Sequence, residues 1–530
     1  MSVSTNTIGY VTSISGDSLS ASVAPDVDLP TIGEMIRIQS ETAIAFGLIS
    51  DMEIPKPSHP PSPDDVKVMS IDLLGEKLIN PGKGELPGFQ RGVSRFPVLG
   101  AEVEPVQTEE LAEIYARPDK PCFTVGALSQ EQKLPAYIMT DALLGKHFAI
   151  LGTTGSGKSC SLTVILKSIL DSHPCGHIIL IDPHNEYSAA FKDKAESLSP
   201  ESLRLPYWLL NFEESVEIFC SKEPAARNIE AGILKDAILT AKLNWGDQGE
   251  DANTLTVDTP VPYKLSDLVH RIDEMMGQLG KPEQLAPFQR LKNRLENLRG
   301  DRRYAFMFGN VALRDNMSYI LSQLMRIPND GKPVSIFDLS GVPSEVVDVM
   351  VSLLCRTMFD LAVWGHRHDP IPILVVCEEA HRYVPYDKNS GFAPTRKALE
   401  QIAKEGRKYG VSLGLITQRP SELSETILSQ CNTMFSLRMS NERDQMFVQR
   451  TLPQSSSSLL KSLPSLRNQE AIVVGEGVNF PTRIRFHELS ANELPESNTA
   501  SFANNWAEDR FDANHINYAL KRWRTQSRES

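Results

Sequence analysis

Apolar and polar positions alternate in short runs over the first 54 residues. The runs TIGYVTSI, SLSASVAP, GEMIRIQS and AIAFGLIS are separated by Gly, Asp or Pro at intervals of about ten residues. Period-two alternation with frequent turn residues predicts short antiparallel strands in a small barrel or sandwich. After the proline-rich loop PKPSHPPSP, the runs KVMSIDLLGE and FPVLGAEVEPV predict further strands. We therefore expect a β domain over residues 1–115.

A different pattern follows this region. KHFAILG, HIILIDPHNEY, PVSIFDLS, IPILVVCEE and VSLGLITQ each contain a short continuous apolar run. Such runs, separated by segments with helical spacing, are typical of parallel strands covered on both faces. They predict a doubly wound α/β core in two stretches, residues 116–212 and 329–490. Apolar residues recur every three or four positions between them, which predicts a helical insertion over 213–328, and the polar residues 491–530 indicate a tail or arm.

Composition narrows the classes of protein that this chain can belong to. The 530 residues are 41% hydrophobic and 23% charged, as expected for a soluble protein with several domains. Lys and Arg number 54 against 67 for Asp and Glu, giving a net charge of -13. Because the surface as a whole is acidic, any nucleic-acid site must be a local group of basic residues, for example inside a pore.

Targeting and metal-binding signals are weak. The start, MSVSTNTIGYVTS, lacks the basic and apolar blocks of a signal peptide, and Asp348, Arg356 and Asp360 interrupt the apolar residues 346–364. We expect a cytoplasmic protein with no membrane partner. The seven cysteines are scattered without a C-x-x-C pair, which predicts small buried side chains and neither a zinc site nor a disulfide framework.

The strongest chemical signal is GTTGSGKS at residues 152–159, which fits the P-loop pattern G-x-x-x-x-G-K-[ST] between a strand and a helix. A chance glycine-rich turn is the alternative, and the strand-to-helix context argues against it. The backbone N–H groups of such a loop surround phosphate oxygens, Lys158 reaches the β- and γ-phosphates, and Ser159 ligates magnesium. The residues expected to bind the nucleoside triphosphate are Gly152, Thr153, Thr154, Gly155, Ser156, Gly157, Lys158, Ser159 and Cys160.

Two consecutive carboxylates end the run ILVVCEEAH. Because a strand alternates its side chains, Glu378 and Glu379 are not expected to face the same core, and a strand end that has reached solvent is one interpretation. In P-loop proteins with an extra strand between the P-loop strand and the Walker B strand, an acid beside the magnesium precedes a glutamate that activates water. This pattern predicts Glu378 as the metal-side acid, acting through water, and Glu379 as the catalytic base.

Other polar residues are candidates for the same site. Gln418 in TQRP ends the next apolar strand, where it is either a sensor of the γ-phosphate or an ordinary polar strand end. Arg407 in AKEGRKYG lies on a predicted helix that would approach the neighbouring subunit's nucleotide in a ring, where an arginine finger neutralises charge. Arg438 in FSLRMSNERD is the competing finger.

Two further segments have open interpretations. Asp182, His184 and Glu186 in IDPHNEY follow a predicted strand, and support of the active site by the two acids is favoured over a separate metal site. Lys388, Arg396 and Lys397 are either pore residues or part of a solvated loop.

The motifs AILGTTGSGKS, IDPHNEY, CEEAHRYVP, IAKEGRKYGVSLGLITQRPSELSETILSQCNTMFSLRMSNERD and AIVVGEGVNFPTRIRF together resemble the bacterial branch of the HerA family of DNA translocases, relatives of FtsK and of conjugative ATPases. The resemblance covers nearly the whole chain. It implies a RecA-like P-loop core of the ASCE type with an N-terminal β-barrel. By matching position, Lys158 and Ser159 are the P-loop pair, Glu379 the catalytic glutamate, Gln418 the sensor and Arg407 the finger.

The resemblance also implies cofactors and partners. These are ATP with Mg²⁺, a homo-hexameric ring that pulls double-stranded DNA through its centre, and a nuclease of the NurA type. In bacterial antiphage defence operons the partner would instead be a sirtuin-type NADase or another nuclease, docked on the N-terminal barrel. The alternatives are an ATP-regulated ring scaffold with little DNA movement and a conjugative ATPase with a membrane partner, against which the β-barrel start argues.

Two positions depart from the family pattern. Asn185 stands where the family usually has glycine, and asparagine tolerates the left-handed backbone that the turn would need. Glu378 stands where the metal-side acid is often aspartate, and its side chain is one methylene longer.

Overall fold

The structure is a computed structural model that describes residues 7–25, 27–59, 62, 65–79, 88–200, 202–245, 254–280, 282–309, 314–365, 370–451, 457–496, 506–507 and 512–525. Residues 60, 61 and 63 of the proline-rich loop and residues 497–505, 508–511 and 526–530 of the predicted tail lie outside the described residues. The domain boundaries given above stay predictions.

The N-terminal strands form an antiparallel barrel. They run in the order β2-β1-β7-β3-β4-β5-β6, and β2 also pairs with β5, which closes six of the strands on themselves. The strands are β1 Gly9–Ser15, β2 Ser18–Val23, β3 Met35–Gln39, β4 Ala43–Glu53, β5 Val68–Leu78, β6 Phe89–Arg91 and β7 Glu102–Pro105. Alternate residues such as Ile36, Ile38 and Ile71 are fully buried inside the barrel. The predicted β domain is confirmed, and of the two predicted architectures it is the barrel.

The core is one wide sheet in the order β12-β13-β11-β14-β15-β10-β16-β17-β18-β8-β9. Its strands are β8 Cys122–Leu128, β9 Pro135–Met139, β10 His147–Leu151, β11 Ile178–Asp182, β12 Ala195–Leu198, β13 Val334–Asp338, β14 Ile373–Cys377, β15 Val411–Thr417, β16 Cys431–Ser436, β17 Glu470–Gly475 and β18 Thr482–Phe486. From β12 to β16 neighbouring strands are parallel, and from β16 to β9 they are antiparallel. The five parallel strands predicted from sequence are confirmed as β10, β11, β13, β14 and β15.

Helices cover both faces of the parallel part. The helices in the described residues are α1 Thr108–Ile114, α2 Thr140–Leu144, α3 Lys158–Ser172, α4 Ser188–Phe191, α5 Phe212–Phe219, α6 Pro224–Leu243, α7 Leu265–Gly277, α8 Pro282–Gly300, α9 Ala305–Phe308, α10 Met317–Met325, α11 Ser344–Gly365, α12 Ala393–Tyr409, α13 Glu425–Leu428, α14 Glu442–Thr451, α15 Ser457–Leu460 and α16 Ala513–Thr525. Apolar residues of α3 pack with Phe148 and Ile150 on one face, and those of α11 and α12 pack with Ala149 and Leu151 on the other. The doubly wound core is confirmed, and α5 to α10 form the predicted helical insertion between β12 and β13.

Among the helices in the described ranges, none combines the length and the apolar character that crossing a membrane requires.

Candidate active site at the carboxyl edge of the sheet

The predicted P-loop joins the end of β10 to the start of α3. Gly155 and Gly157 have φ angles of 75° and 98°, in the left-handed region that glycine adopts without a steric penalty. At Gly152 an added Cβ would lie 2.9 Å from the Cβ of Leu437, so a side chain there would push against the next strand. The loop thus takes a conformation that depends on its glycines, as a phosphate-binding loop requires.

The remaining loop residues hold this conformation. The hydroxyl of Ser156 donates to the carbonyl of Thr153 at 2.7 Å. The backbone N–H and the hydroxyl of Thr153 both donate to the carbonyl of Arg438, each at 3.1 Å. Cys160 lies half-buried on the first turn of α3, where burial raises the pKa of its thiol.

Lys158 and Ser159, at the start of α3, face a group of carboxylates. The ammonium group of Lys158 donates to the carbonyl of Thr153 at 3.2 Å, and the side chain is 9% exposed. Burial lowers the pKa of Lys158, and the nearby charges of Glu378, Glu379 and Glu186 oppose that shift. The hydroxyl of Ser159 donates to Glu186 at 2.7 Å. Glu186 therefore lies directly at the predicted magnesium ligand, a contact that the sequence did not reveal.

The structure corrects the expectation that Glu378 and Glu379 cannot share one environment. β14 ends at Cys377, and Glu379 has a φ of 52°, in the left-handed region that is uncommon for residues other than glycine. Strand alternation therefore does not apply to the pair. Both side chains are buried, with 4% and 7% exposure, so the strand end has not reached solvent.

Glu378 occupies the more enclosed of the two positions. It accepts a hydrogen bond from the hydroxyl of Tyr187 at 2.9 Å. Burial raises the pKa of Glu378 to about 8, although the hydrogen bond from Tyr187 and the charge of Lys158 act in the opposite direction. Glu378 thus lies within the influence of the charge of Lys158, and its carboxylate accepts a hydrogen bond from Tyr187.

Glu379 is linked to the P-loop through Gln418. The amide nitrogen of Gln418 donates to Oε1 of Glu379 at 2.7 Å, and its amide oxygen accepts a hydrogen bond from the hydroxyl of Thr154. Gln418 is therefore more than a polar strand end, since it joins two predicted site residues.

The other carboxylate oxygen of Glu379 lacks a hydrogen-bond donor among the described residues. Oε2 is buried and accepts no hydrogen bond from the described residues, although Nδ1 of His381 lies 3.2 Å away. Nε2 of His184 lies 4.0 Å from Oε1. A buried acceptor without a donor is costly unless a bound molecule supplies one.

The loop after β11 supports this arrangement. Asp182 is fully buried and accepts backbone N–H bonds from His184 at 3.2 Å and Tyr187 at 3.1 Å, and burial raises its pKa to about 6. Asn185 has a φ of 53°, which confirms the left-handed turn expected at that position. The turn places Glu186 and Tyr187 against Ser159 and Glu378.

The two candidate arginine fingers lie at opposite edges of the sheet. Arg438 follows β16 and contacts the P-loop of its own chain through its carbonyl. Arg407 is exposed on the last turn of α12, just before β15 begins, so it lies at the amino edge and far from its own P-loop. There the pKa of Glu476 is lowered first by its hydrogen bond from Lys146 and also by the charge of Arg407.

The three candidate pore residues differ in their partners. Lys397 pairs with Glu213, and Arg396 donates to the carbonyls of Pro385 and Asp387. Lys388 is exposed and has no hydrogen bond or ion pair within the described ranges.

The residues at this edge suit a magnesium nucleotide. The hydroxyl of Ser159 and the carboxylates of Glu186 and Glu378 are oxygen donors, which Mg²⁺ prefers. In the part of the chain that the structure describes, no group of three or more His, Cys, Asp or Glu side chains could hold a metal ion by itself. Phosphate oxygens and water would have to complete the coordination, as is usual for Mg²⁺.

The chain is similar in sequence to known proteins. The sequence model of the family described as "Helicase HerA, central domain" matches residues 123–358. The DNA double-strand break repair helicase HerA of Pyrococcus furiosus is 26% identical over 454 residues, which cover 77% of this chain and 76% of that protein. The probable DNA double-strand break repair helicase HerA of Methanocaldococcus jannaschii is 26% identical and is matched over 78% of this chain and 86% of its own length.

The chain also aligns with a solved structure. VirB4 of Thermoanaerobacter pseudethanolicus aligns with a TM-score of 0.48 at 15% identity, covering 71% of this chain and 99% of that chain.

Proposed function

We propose that this chain, a helicase-class ATPase that belongs to the HerA family, uses ATP hydrolysis to move along double-stranded DNA as a ring of six subunits. The observation that carries the proposal is the connection from Thr154 through Gln418 to Glu379. Through this connection Glu379, whose buried Oε2 accepts no hydrogen bond from the described residues, lies beside a phosphate-binding loop, as hydrolysis of the γ-phosphate needs.

Each side chain has a distinct role in this proposal. Lys158 binds the β- and γ-phosphate oxygens, and Ser159, Glu186 and Glu378 are the residues that would hold Mg²⁺. Bound Mg²⁺ supplies positive charge to the phosphoryl oxygens. Glu379 accepts the proton of the attacking water as the water oxygen bonds to the γ-phosphorus and the bond to the bridging oxygen breaks, releasing ADP and phosphate.

Gln418 and Arg407 complete the site in different ways. Because Gln418 contacts both the P-loop and Glu379, loss or gain of the γ-phosphate would change the position of Glu379. Arg407 cannot reach the P-loop of its own chain from the amino edge of the sheet. It can act only on the nucleotide of another subunit, which is why the proposal includes a ring.

Double-stranded DNA is expected to raise the rate of ATP hydrolysis, and this stimulation should fall steeply as salt increases. The reason is that a chain with a net charge of -13 must hold DNA through local basic residues, whose phosphate contacts release counterions. Phosphate release is measured with and without duplex over a salt series. Lys388→Ala should weaken the stimulation, whereas Lys235→Ala, a change at an exposed lysine on α6, should not. Stimulation that does not depend on salt would contradict DNA binding by basic residues.

The barrel offers a surface for a partner. Val98 and Leu99 are 65% and 67% exposed, and Phe96 and Tyr10 are about half exposed. The backbone of Gly100 donates to the carbonyl of Val11 at 2.8 Å, which brings the loop that carries these side chains against β1. We define Tyr10, Phe96, Val98 and Leu99 as the barrel patch. Exposed apolar patches commonly mark protein interaction sites.

We propose that the barrel patch binds a nuclease of the NurA type. DNA end processing requires strand cleavage, which the proposed hydrolysis of ATP does not supply. A sirtuin-type NADase of an antiphage operon is the second candidate, and the protein would act in the cytoplasm in either case.

Val98→Asp with Leu99→Asp should abolish binding of a nuclease of the NurA type, because charges would replace the apolar contact. The measurement is co-purification of the two full-length proteins. Ile229→Asp changes a similarly exposed apolar residue on α6, so it serves as the matched control. Undiminished co-purification of the double variant would exclude the barrel patch as the docking surface.

A further inference from the structure

The strands next to the P-loop strand β10 lie on its two sides. β15 and β14, which precede Gln418 and Glu379, lie on one side of β10, whereas β16 and β17 lie on the other. Arg438 comes two residues after the end of β16, and Gln469 comes directly before β17. These two residues therefore meet the P-loop from the side opposite Glu379.

Arg438 is held at the loop by its backbone alone. Its carbonyl accepts both hydrogen bonds from Thr153. The side chain is half-buried and makes no hydrogen bond or ion pair with any residue that the structure describes. The guanidinium is therefore able to contact a molecule bound at the loop. A bound ligand would supply the missing partner.

Gln469 contacts the other end of the loop. Its backbone nitrogen lies 3.5 Å from the position that a Cβ on Gly157 would occupy. Its φ is 66°, in the left-handed region, and such strained residues cluster at functional sites. The half-buried side-chain amide has no hydrogen bond to the described part of the chain.

The direction in which a bound nucleotide lies follows from which residues are on each side of β10. The γ-phosphate must lie toward Glu379 and Gln418, because those groups act on it in the proposed reaction. The nucleoside must then leave the P-loop on the opposite side, toward β16 and β17. We infer that Arg438 and Gln469 hold the nucleoside of bound ATP, Gln469 by hydrogen bonds from its amide to the purine edge and Arg438 by its guanidinium against the base or ribose.

This inference rests on the proposed ATPase function and also decides between the two candidate fingers. Arg438 contacts the nucleotide of its own chain. Arg407 is therefore the arginine finger that contacts the nucleotide of the neighbouring subunit.

Comparison of a nucleotide with a ligand that lacks the nucleoside tests the inference. Isothermal titration measures binding of AMP-PNP and of tripolyphosphate, each with Mg²⁺, to the full chain. Arg438→Ala combined with Gln469→Gly is expected to weaken AMP-PNP binding about tenfold or more, since each lost contact contributes on the order of 1 kcal/mol, and to leave tripolyphosphate binding unchanged. Glycine is chosen at position 469 because it adopts the left-handed φ without strain.

Two controls keep the outcomes separate. Lys158→Ala should weaken the binding of both ligands. Arg443→Ala, at an exposed arginine on α14, should weaken the binding of neither. If the double variant weakens the binding of both ligands equally, the two residues only support the P-loop. If it weakens the binding of neither ligand, the two residues do not contact the nucleotide. Both results overturn the inference. If the parental protein binds neither ligand, the proposed ATPase function fails first.

Discussion

Glu379→Gln is expected to lower ATP turnover by about 10²–10⁴-fold, the usual contribution of a general base, while nucleotide binding is retained. Glutamine has the same shape as glutamate but cannot take a proton from water. Its side-chain oxygen can still accept the hydrogen bond that the Gln418 amide now donates at 2.7 Å, so the P-loop side of the site should stay in place. Phosphate release measures turnover, and titration with AMP-PNP measures binding.

The control for this change is Glu425→Gln, at an exposed glutamate on α13. It should leave both turnover and binding at the parental values. If a Glu379→Gln protein hydrolyses ATP at the parental rate, Glu379 is not the catalytic base.

Arg407→Ala is expected to lower turnover by about 10³–10⁵-fold, the range found for arginine fingers, without weakening nucleotide binding to the same extent. The structure places Arg407 at the amino edge of the sheet and the P-loop at the carboxyl edge. The loss must therefore arise at an interface between subunits.

Mixing two inactive variants tests this arrangement. In a ring assembled from Arg407→Ala and Glu379→Gln subunits, some interfaces combine an intact Glu379 from one subunit with an intact Arg407 from the next. Activity should therefore return in the mixture, measured as phosphate release after the subunits are exchanged. If Arg407 acted within its own chain, every site would lack one of the two residues.

Lys404→Ala is the matched control for Arg407→Ala, since Lys404 is exposed one turn earlier on α12 and pairs with Glu400. It should retain parental turnover. A mixture that stays as inactive as each variant alone would contradict the shared site.

The parallel part of the fold could be predicted because its central strands are buried on both faces and are therefore apolar throughout. The strands HFAIL, IILID and ILVVC are fully buried, and each was recognised from its sequence. The parallel strand β16, on the other side of β10, was not recognised, since it reads CNTMFS and contains exposed Asn432 and buried Thr433. Its position is set by pairing with β10, which no local pattern encodes.

The candidate site was predictable where one motif carries the chemistry, as at the P-loop. Contacts between distant segments were not. Ser159 and Glu186 are 27 positions apart, and Tyr187 and Glu378 are 191 apart, so only the folded sheet brings each pair together. The left-handed backbone at Glu379, which turns both glutamates into one pocket, also has no signal in a residue type that rarely adopts it.

Displacement of a third strand from a DNA triplex by the isolated protein measures directly whether hydrolysis at this site drives movement along duplex DNA. We expect displacement with ATP and none with AMP-PNP or with Glu379→Gln. Hydrolysis of ATP by the parental protein without any displacement would contradict this expectation, and would favour an ATP-regulated ring scaffold for a partner effector.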